Sequence, residues 1–252
     1  MASIYQEQFS AQRYELQRDP QNPMLVQLTF DNVARVEAMI HMDSRYNKSG
    51  NPNARPIAKY QGSTAYWLLQ LKEILICKKQ KASCGKDLKD TITEVIKAID
   101  RDNGTRLSVG KSRDMISDWL FKNAKSIVDN LRNRELGFHM IEDIASSLNN
   151  ARGRENYSFA TKFCHYACIF WFEGDSEADN YSIYDNIVSN ALPKYAERYG
   201  VIKSNGKNYT KKDFNKVANY RVYSNVIDAI IKKSGAAISR NGFDHLLWYA
   251  NK

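Results

Sequence analysis

The chain has 252 residues, 43% of them hydrophobic and 12% aromatic, and a formal net charge of +9. That is enough apolar material for a sizeable core, which excludes a disordered chain and fits one large domain or two lobes. The basic balance, with a pI near 9.2, points to polyanionic partners and first to nucleic acid.

Met1 to Tyr14 is polar and carries no signal-peptide core, and no apolar run approaches the roughly 20 residues that span a bilayer. The expected setting is the cytoplasm, at the nucleoid if DNA is bound, with no membrane partner. Met24 to Phe30 reads either as a strand or as an apolar lead-in. From there helical periodicity dominates. Asp31 caps a stretch with Val33, Val36, Met39 and Ile40 on one face. Ser63 caps a second with Trp67, Leu68, Leu71, Ile74 and Leu75, and Leu88, Ile92, Val95, Ile96 and Ile99 mark a third. Ser112 starts a long fourth that runs through Trp119 and Ile127 to Leu131. Ile141, Ile144, Ala145 and Leu148 form a short fifth.

Ser158 is placed to cap a helix running to about Phe172, and Asp185 to cap one ending near Tyr199-Gly200. Thr210 caps another, through Phe214, Val217, Val226 and Ile230, that Gly235 stops. Phe243, Leu246, Leu247 and Trp248 form the last. The fold class predicted is all-α, with no internal repeat.

Two polar stretches, Lys48 to Arg55 and Asn149 to Asn156, read as loops. Between Lys194 and Lys233 ten basic residues face only Glu197, Asp213 and Asp228, which leaves a solvated face or a phosphate contact surface. Cys77, Cys84, Cys164 and Cys168 match no standard zinc or cluster spacing, so buried free thiols are expected, with no metal and no cofactor.

Two residues carry the chemistry. Lys162 lies near the start of an apolar helix, and Asp185 opens the next one, 23 residues on. An amine and a carboxylate at adjacent helix starts, in a basic chain, point to a phosphate-bearing substrate. Arg152, Gly153 and Arg154 lie in the turn before Ser158 and Thr161. The free N–H groups of the helix that follows, aided by its dipole, suit a DNA phosphate.

The run from Ser158-Phe159-Ala160-Thr161-Lys162 to Cys168, followed by Tyr184-Asp185-Asn186-Ile187-Val188, resembles the helix-hairpin-helix DNA glycosylases of the 8-oxoguanine type. In that family a glycine-rich hairpin turn leads into a Thr-Lys pair, and a Pro-Val-Asp segment follows whose aspartate caps the next helix. Ser158 and Ala160 stand where the hairpin glycines would be, and the proline is absent. The likeness covers about 149–189 and is architectural elsewhere.

The resemblance implies a helix-hairpin-helix glycosylase-like, two-lobed helical fold over 1–252. The hairpin and catalytic segment fall at 138–189, and 1–100 with 190–252 form the second lobe. It implies a monomeric enzyme that takes double-stranded DNA, flips out a modified or damaged base and cleaves its N-glycosidic bond, either alone or with a Schiff-base AP-lyase activity, in base-excision repair or in defence against phage DNA with modified bases. Lys162 falls on the Schiff-base lysine and Asp185 on the catalytic aspartate. Arg152, Gly153, Arg154, Ser158 and Thr161 would hold the backbone, and His165 and Phe243 would touch the base. Three bland readings stand beside these: Lys162 as a surface lysine, Asp185 as a plain cap, and His165 as an ordinary half-buried histidine. A non-catalytic helical DNA-binding protein is the alternative to the enzyme.

Overall fold

The computed structural model describes residues 16–42, 62–77, 88–105, 107, 111–147 and 156–251. The described chain is mostly helical, with ten α-helices and one small two-stranded sheet. It divides into two compact units. One comprises Met1–Ala58, Asp185–Asn215 and Asn219–Lys252, and the other Lys59–Tyr184 with Lys216–Ala218. The division falls at Tyr184–Asp185, inside the segment the sequence treats as one catalytic piece. Residues 59–100 group with the middle of the chain rather than with its ends.

α1 (Phe30–Met42) belongs to the first unit, and the second holds, among the described residues, α2 (Thr64–Cys77), α3 (Leu88–Asn103), α4 (Lys111–Lys122), α5 (Ile127–Arg132), α6 (Arg134–Ser146) and α7 (Tyr157–Trp171). Ser63 caps α2 as expected, its Oγ accepting the Tyr66 N–H at 3.1 Å. In α3, Leu88, Ile92, Val95, Ile96 and Ile99 are all buried, one apolar stripe on a helix otherwise polar. Buried side chains surround most of α7, which packs against α2, α3 and α6. A helix that is apolar nearly all round belongs at the centre of its unit.

The long helix expected from Ser112 to Leu131 is broken. α4 ends at Lys122, where Asn123 Nδ2 donates to the Trp119 carbonyl at 2.8 Å and Ser126 Oγ donates to Asn123 O at 3.0 Å. Short polar side chains that bond nearby backbone compete with helix continuation. Asn133 then caps α6, accepting from Glu135 N and Leu136 N. Gly137 is required on α6, because a Cβ there would stand 1.8 Å from the Tyr181 hydroxyl. That hydroxyl donates to the Leu131 carbonyl at 3.1 Å.

The other unit begins with β1 (Arg18–Asp19) antiparallel to β2 (Asn22–Val26). The ambiguous apolar segment is therefore a strand over its first part. Asp19 Oδ1 accepts from Gln21 N and Asn22 N to set the turn. Asn32, fully buried in α1, bonds Gln17 and the Gln27 carbonyl, tying the hairpin to the helix. Thr29, not Asp31, caps α1, its hydroxyl accepting the Asn32 N–H at 3.2 Å.

Three more described helices belong to this unit: α8 (Asn186–Arg198), α9 (Tyr220–Ser234) and α10 (Arg240–Asn251). α10 packs on α1 and α8, and Tyr195 of α8 meets Phe243 edge-on at 6.0 Å. The helix expected from Thr210 starts late. Thr210 and Asp213 instead close a capping box around the single turn Lys211–Asp213, and α9 opens only at Tyr220. Gly235 ends α9 at φ 68°, in the left-handed region where glycine is favoured.

Candidate catalytic site

Two faces of α7 are used for different purposes. Tyr157, Thr161 and His165 are spaced i, i+4 and i+8, so they share one face. All three grip the segment 181–184. The Tyr157 ring stacks on Tyr184, with centroids 3.9 Å apart and planes 13° apart. Thr161 Oγ1 accepts the Tyr184 N–H at 3.1 Å while donating to helix carbonyls. His165 Nδ1 lies 2.6 Å from Tyr181 O, which makes it the protonated nitrogen facing that carbonyl.

Lys162 and Tyr166, also one turn apart, point to the end of α3. Lys162 is 8% exposed, and its Nζ donates to the Asn103 carbonyl at 2.9 Å. The Tyr166 hydroxyl donates to Asn103 Oδ1 at 2.7 Å. The terminal carbonyls of a helix lack intrahelical partners and carry partial negative charge, so a lysine there is well placed. Lys162 is thus neither a surface lysine nor at the first turn of its helix. It is the sixth residue of α7.

Ser158 is not the cap of α7. That place is taken by Asn156, and Ser158 is the second residue inside the helix, half-buried. Arg152, Gly153 and Arg154 lie outside the described residues. Phe243 is fully buried, with its ring against Tyr195 in the core of its unit. Among the described residues, Cys164 and Cys168 are free and buried, and burial pushes both thiols well up, which keeps them protonated. No group of three His, Cys, Asp or Glu side chains is assembled there that would hold a metal ion. No described helix is long and apolar enough to cross a membrane.

Asp185 is the N-cap of α8, its Oδ1 accepting the Val188 N–H at 2.8 Å. The residue is half-buried, and its Oδ2 takes no hydrogen bond among the described residues. One carboxylate oxygen is therefore fixed by the backbone, while the other keeps its lone pairs for something else. Lys211 Nζ donates to Asn186 Oδ1 at 2.5 Å, which brings a cation to the first turn of the same helix.

Sequence reasoning missed Asn103 and Tyr166, and placed Lys211 only in the basic stretch, not beside Asn186. Tyr166 had a usable signal, its i+4 spacing from Lys162. The pairings of Asn103 with Lys162 and of Lys211 with Asn186 had none, because the partners are 59 and 25 residues apart.

No protein-family model, curated protein or solved structure matches the chain.

Proposed function

We propose that the chain is a DNA glycosylase that flips a modified base out of the duplex and cleaves its N-glycosidic bond. The observation that carries this reading is the state of Asp185. Its carboxylate is locked by the Val188 N–H through one oxygen, and the other oxygen is left over. Breaking the bond between C1′ and the base sends the electron pair out with the base and leaves oxocarbenium-like positive charge on the sugar. A rigid carboxylate beside C1′ stabilises that charge without reorganising. Extruding the base costs a few kcal/mol, least for a base that already pairs poorly.

The position of Lys162 favours water over the amine as the nucleophile. Its Nζ is held on the Asn103 carbonyl, and attack on C1′ would require that bond to break. Water then adds to C1′ and gives up a proton, leaving an intact abasic site. A second reading, a non-catalytic helical DNA-binding protein, is favoured by the fact that Thr161, Lys162 and His165 all bond groups of their own unit.

The test is a panel of duplexes carrying different modified bases, scored for abasic sites with and without alkali, and with borohydride added in parallel. The expected result is an alkali-labile site on at least one duplex, absent with Asp185→Asn, and no trapped covalent adduct. DNA binding without excision on any duplex would replace this reading with the second one.

A further inference from the structure

The surface of α8 carries a charge pattern that the packing of its unit does not use. After α8 the chain turns at Gly200 and runs back along the helix. Asn208 Nδ2 donates to Glu197 Oε1 at 3.1 Å near the helix C-terminus, and Lys211 Nζ donates to Asn186 Oδ1 at its first residue. Residues 186, 190, 194 and 197 recur at helical spacing and share a face, about 16 Å long at 1.5 Å per residue. Asn190 and Lys194 on it are exposed, as are Lys207, Lys211 and Lys212 from the returning segment.

The charges on this face divide cleanly. Arg198 pairs with Asp19 and Lys203 with Asp213, both at 2.7 Å. Of the two acids on the face, Asp213 is paired with Lys203, while Glu197 accepts only from the neutral Asn208 amide and keeps its charge, one anion among the lysines. The side-chain amines of Lys194, Lys207 and Lys212 have no hydrogen bond or ion pair among the described residues. Exposed like charges on one face repel, do nothing for the fold and attract a polyanion. Exposed amides of Asn190 and Asn205 lie among them, another donor type that binds phosphate and sugar. Of the large apolar side chains, only Ile202 is exposed in this stretch, which leaves too little to insert into a lipid surface.

We infer that the α8 face, with the returning segment 200–215, is a duplex-DNA backbone grip made by Lys194, Lys207, Lys211 and Lys212. The inference rests on the proposed DNA-directed function for its choice of polyanion. It adds the place where the backbone is held: along the helix whose N-cap is Asp185, on the same unit, so that a strand tracked along the face reaches the carboxylate. The contacts are electrostatic and carry no base preference.

The experiment uses the full chain and a fluorescein-labelled 20-base-pair unmodified duplex, titrated by anisotropy across a salt series. The triple variant Lys194→Gln, Lys207→Gln, Lys212→Gln is compared with wild type and with a control of equal charge change, Lys97→Gln, Lys122→Gln, Lys125→Gln. All six lysines are exposed, so both variants should melt like wild type. Removing three phosphate contacts should flatten the log K against log salt slope by about 2.7 and leave the control slope alone. The inference is overturned by an unchanged slope in the triple variant, by an equal loss in the control, by no salt-dependent binding in wild type, or by a loss seen only on phosphatidylserine vesicles. Excision is scored on the same samples. A slope loss in the triple variant with no excision by wild type keeps the grip and removes the glycosylase reading, whereas excision with an unchanged slope does the reverse.

Discussion

The Thr161 hydroxyl holds the Tyr184 N–H at 3.1 Å, one residue before Asp185. With the stacking of Tyr157 on Tyr184 and the bond from His165 to Tyr181 O, one face of α7 fixes the segment that leads to the proposed catalytic carboxylate. Thr161→Val keeps the shape and removes the acceptor, leaving the Tyr184 N–H without it. A loss of about 1–3 kcal/mol in urea unfolding is expected, with Thr161→Ser close to wild type. Equal stability of the Val and Ser variants would mean that the contact contributes nothing.

Asp185 has two roles that substitution separates. Asp185→Asn keeps a capping side chain and should melt near wild type, while Asp185→Ala should lose about 1 kcal/mol. Excision should disappear in both, because both lack the charge. If Asp185→Asn excises at the wild-type rate, Asp185 is a cap and nothing more.

Lys162 and Tyr166 act together on Asn103, so their removals should not add. Lys162→Gln and Tyr166→Phe should each destabilise the chain, and the double variant should depart from the sum by about 0.5–3 kcal/mol, as expected for residues sharing one partner. A covalent adduct trapped by borohydride in wild type and lost in Lys162→Gln would show that the amine leaves Asn103 to react.

Stability should fall in acid for reasons that can be located. Burial pushes the Asp19 carboxyl up, but the Arg198 guanidinium and the Gln21 and Asn22 N–H groups outweigh it and hold it below the usual value. Asp100 behaves alike: burial opposes, while the Thr105 hydroxyl, Arg113 and the Leu107 N–H lower it. A carboxyl lowered in the folded chain contributes stability above its unfolded value, about 3.9, and loses it as pH falls through the folded one. The melting temperature should therefore drop below about pH 4, and less steeply in Asp19→Asn. An identical acid limb in that variant would remove Asp19 from the account.

Gly137→Ala should be among the most damaging small substitutions, since its Cβ overlaps the Tyr181 hydroxyl and ring in a packed interior. Overpacking of this kind costs about 1–3 kcal/mol or more. A melting temperature equal to wild type would show that the Tyr181 ring moves aside freely.

What could be read from the sequence was whatever depends on neighbours within a turn or two. The apolar stripe of α3, the Ser63 and Asp185 caps and the Gly235 stop are all local, set by residues three or four apart. The same locality explains the failures. Periodicity continues through Asn123 and begins after Thr210, but side-chain bonds from those residues end one helix and delay the other. The partners of the candidate residues were out of reach for a different reason. Nothing in the run Thr161-Lys162 tells which carbonyl or N–H will lie opposite, because Asn103 and Tyr184 are brought there only when α3 and the segment 181–184 pack on α7. Sequence determined the local caps and apolar stripes and singled out Lys162 and Asp185 as candidates. Tertiary packing decided that Lys162 faces a helix end, because a buried amine takes the acceptor that packing brings to it, here the Asn103 carbonyl.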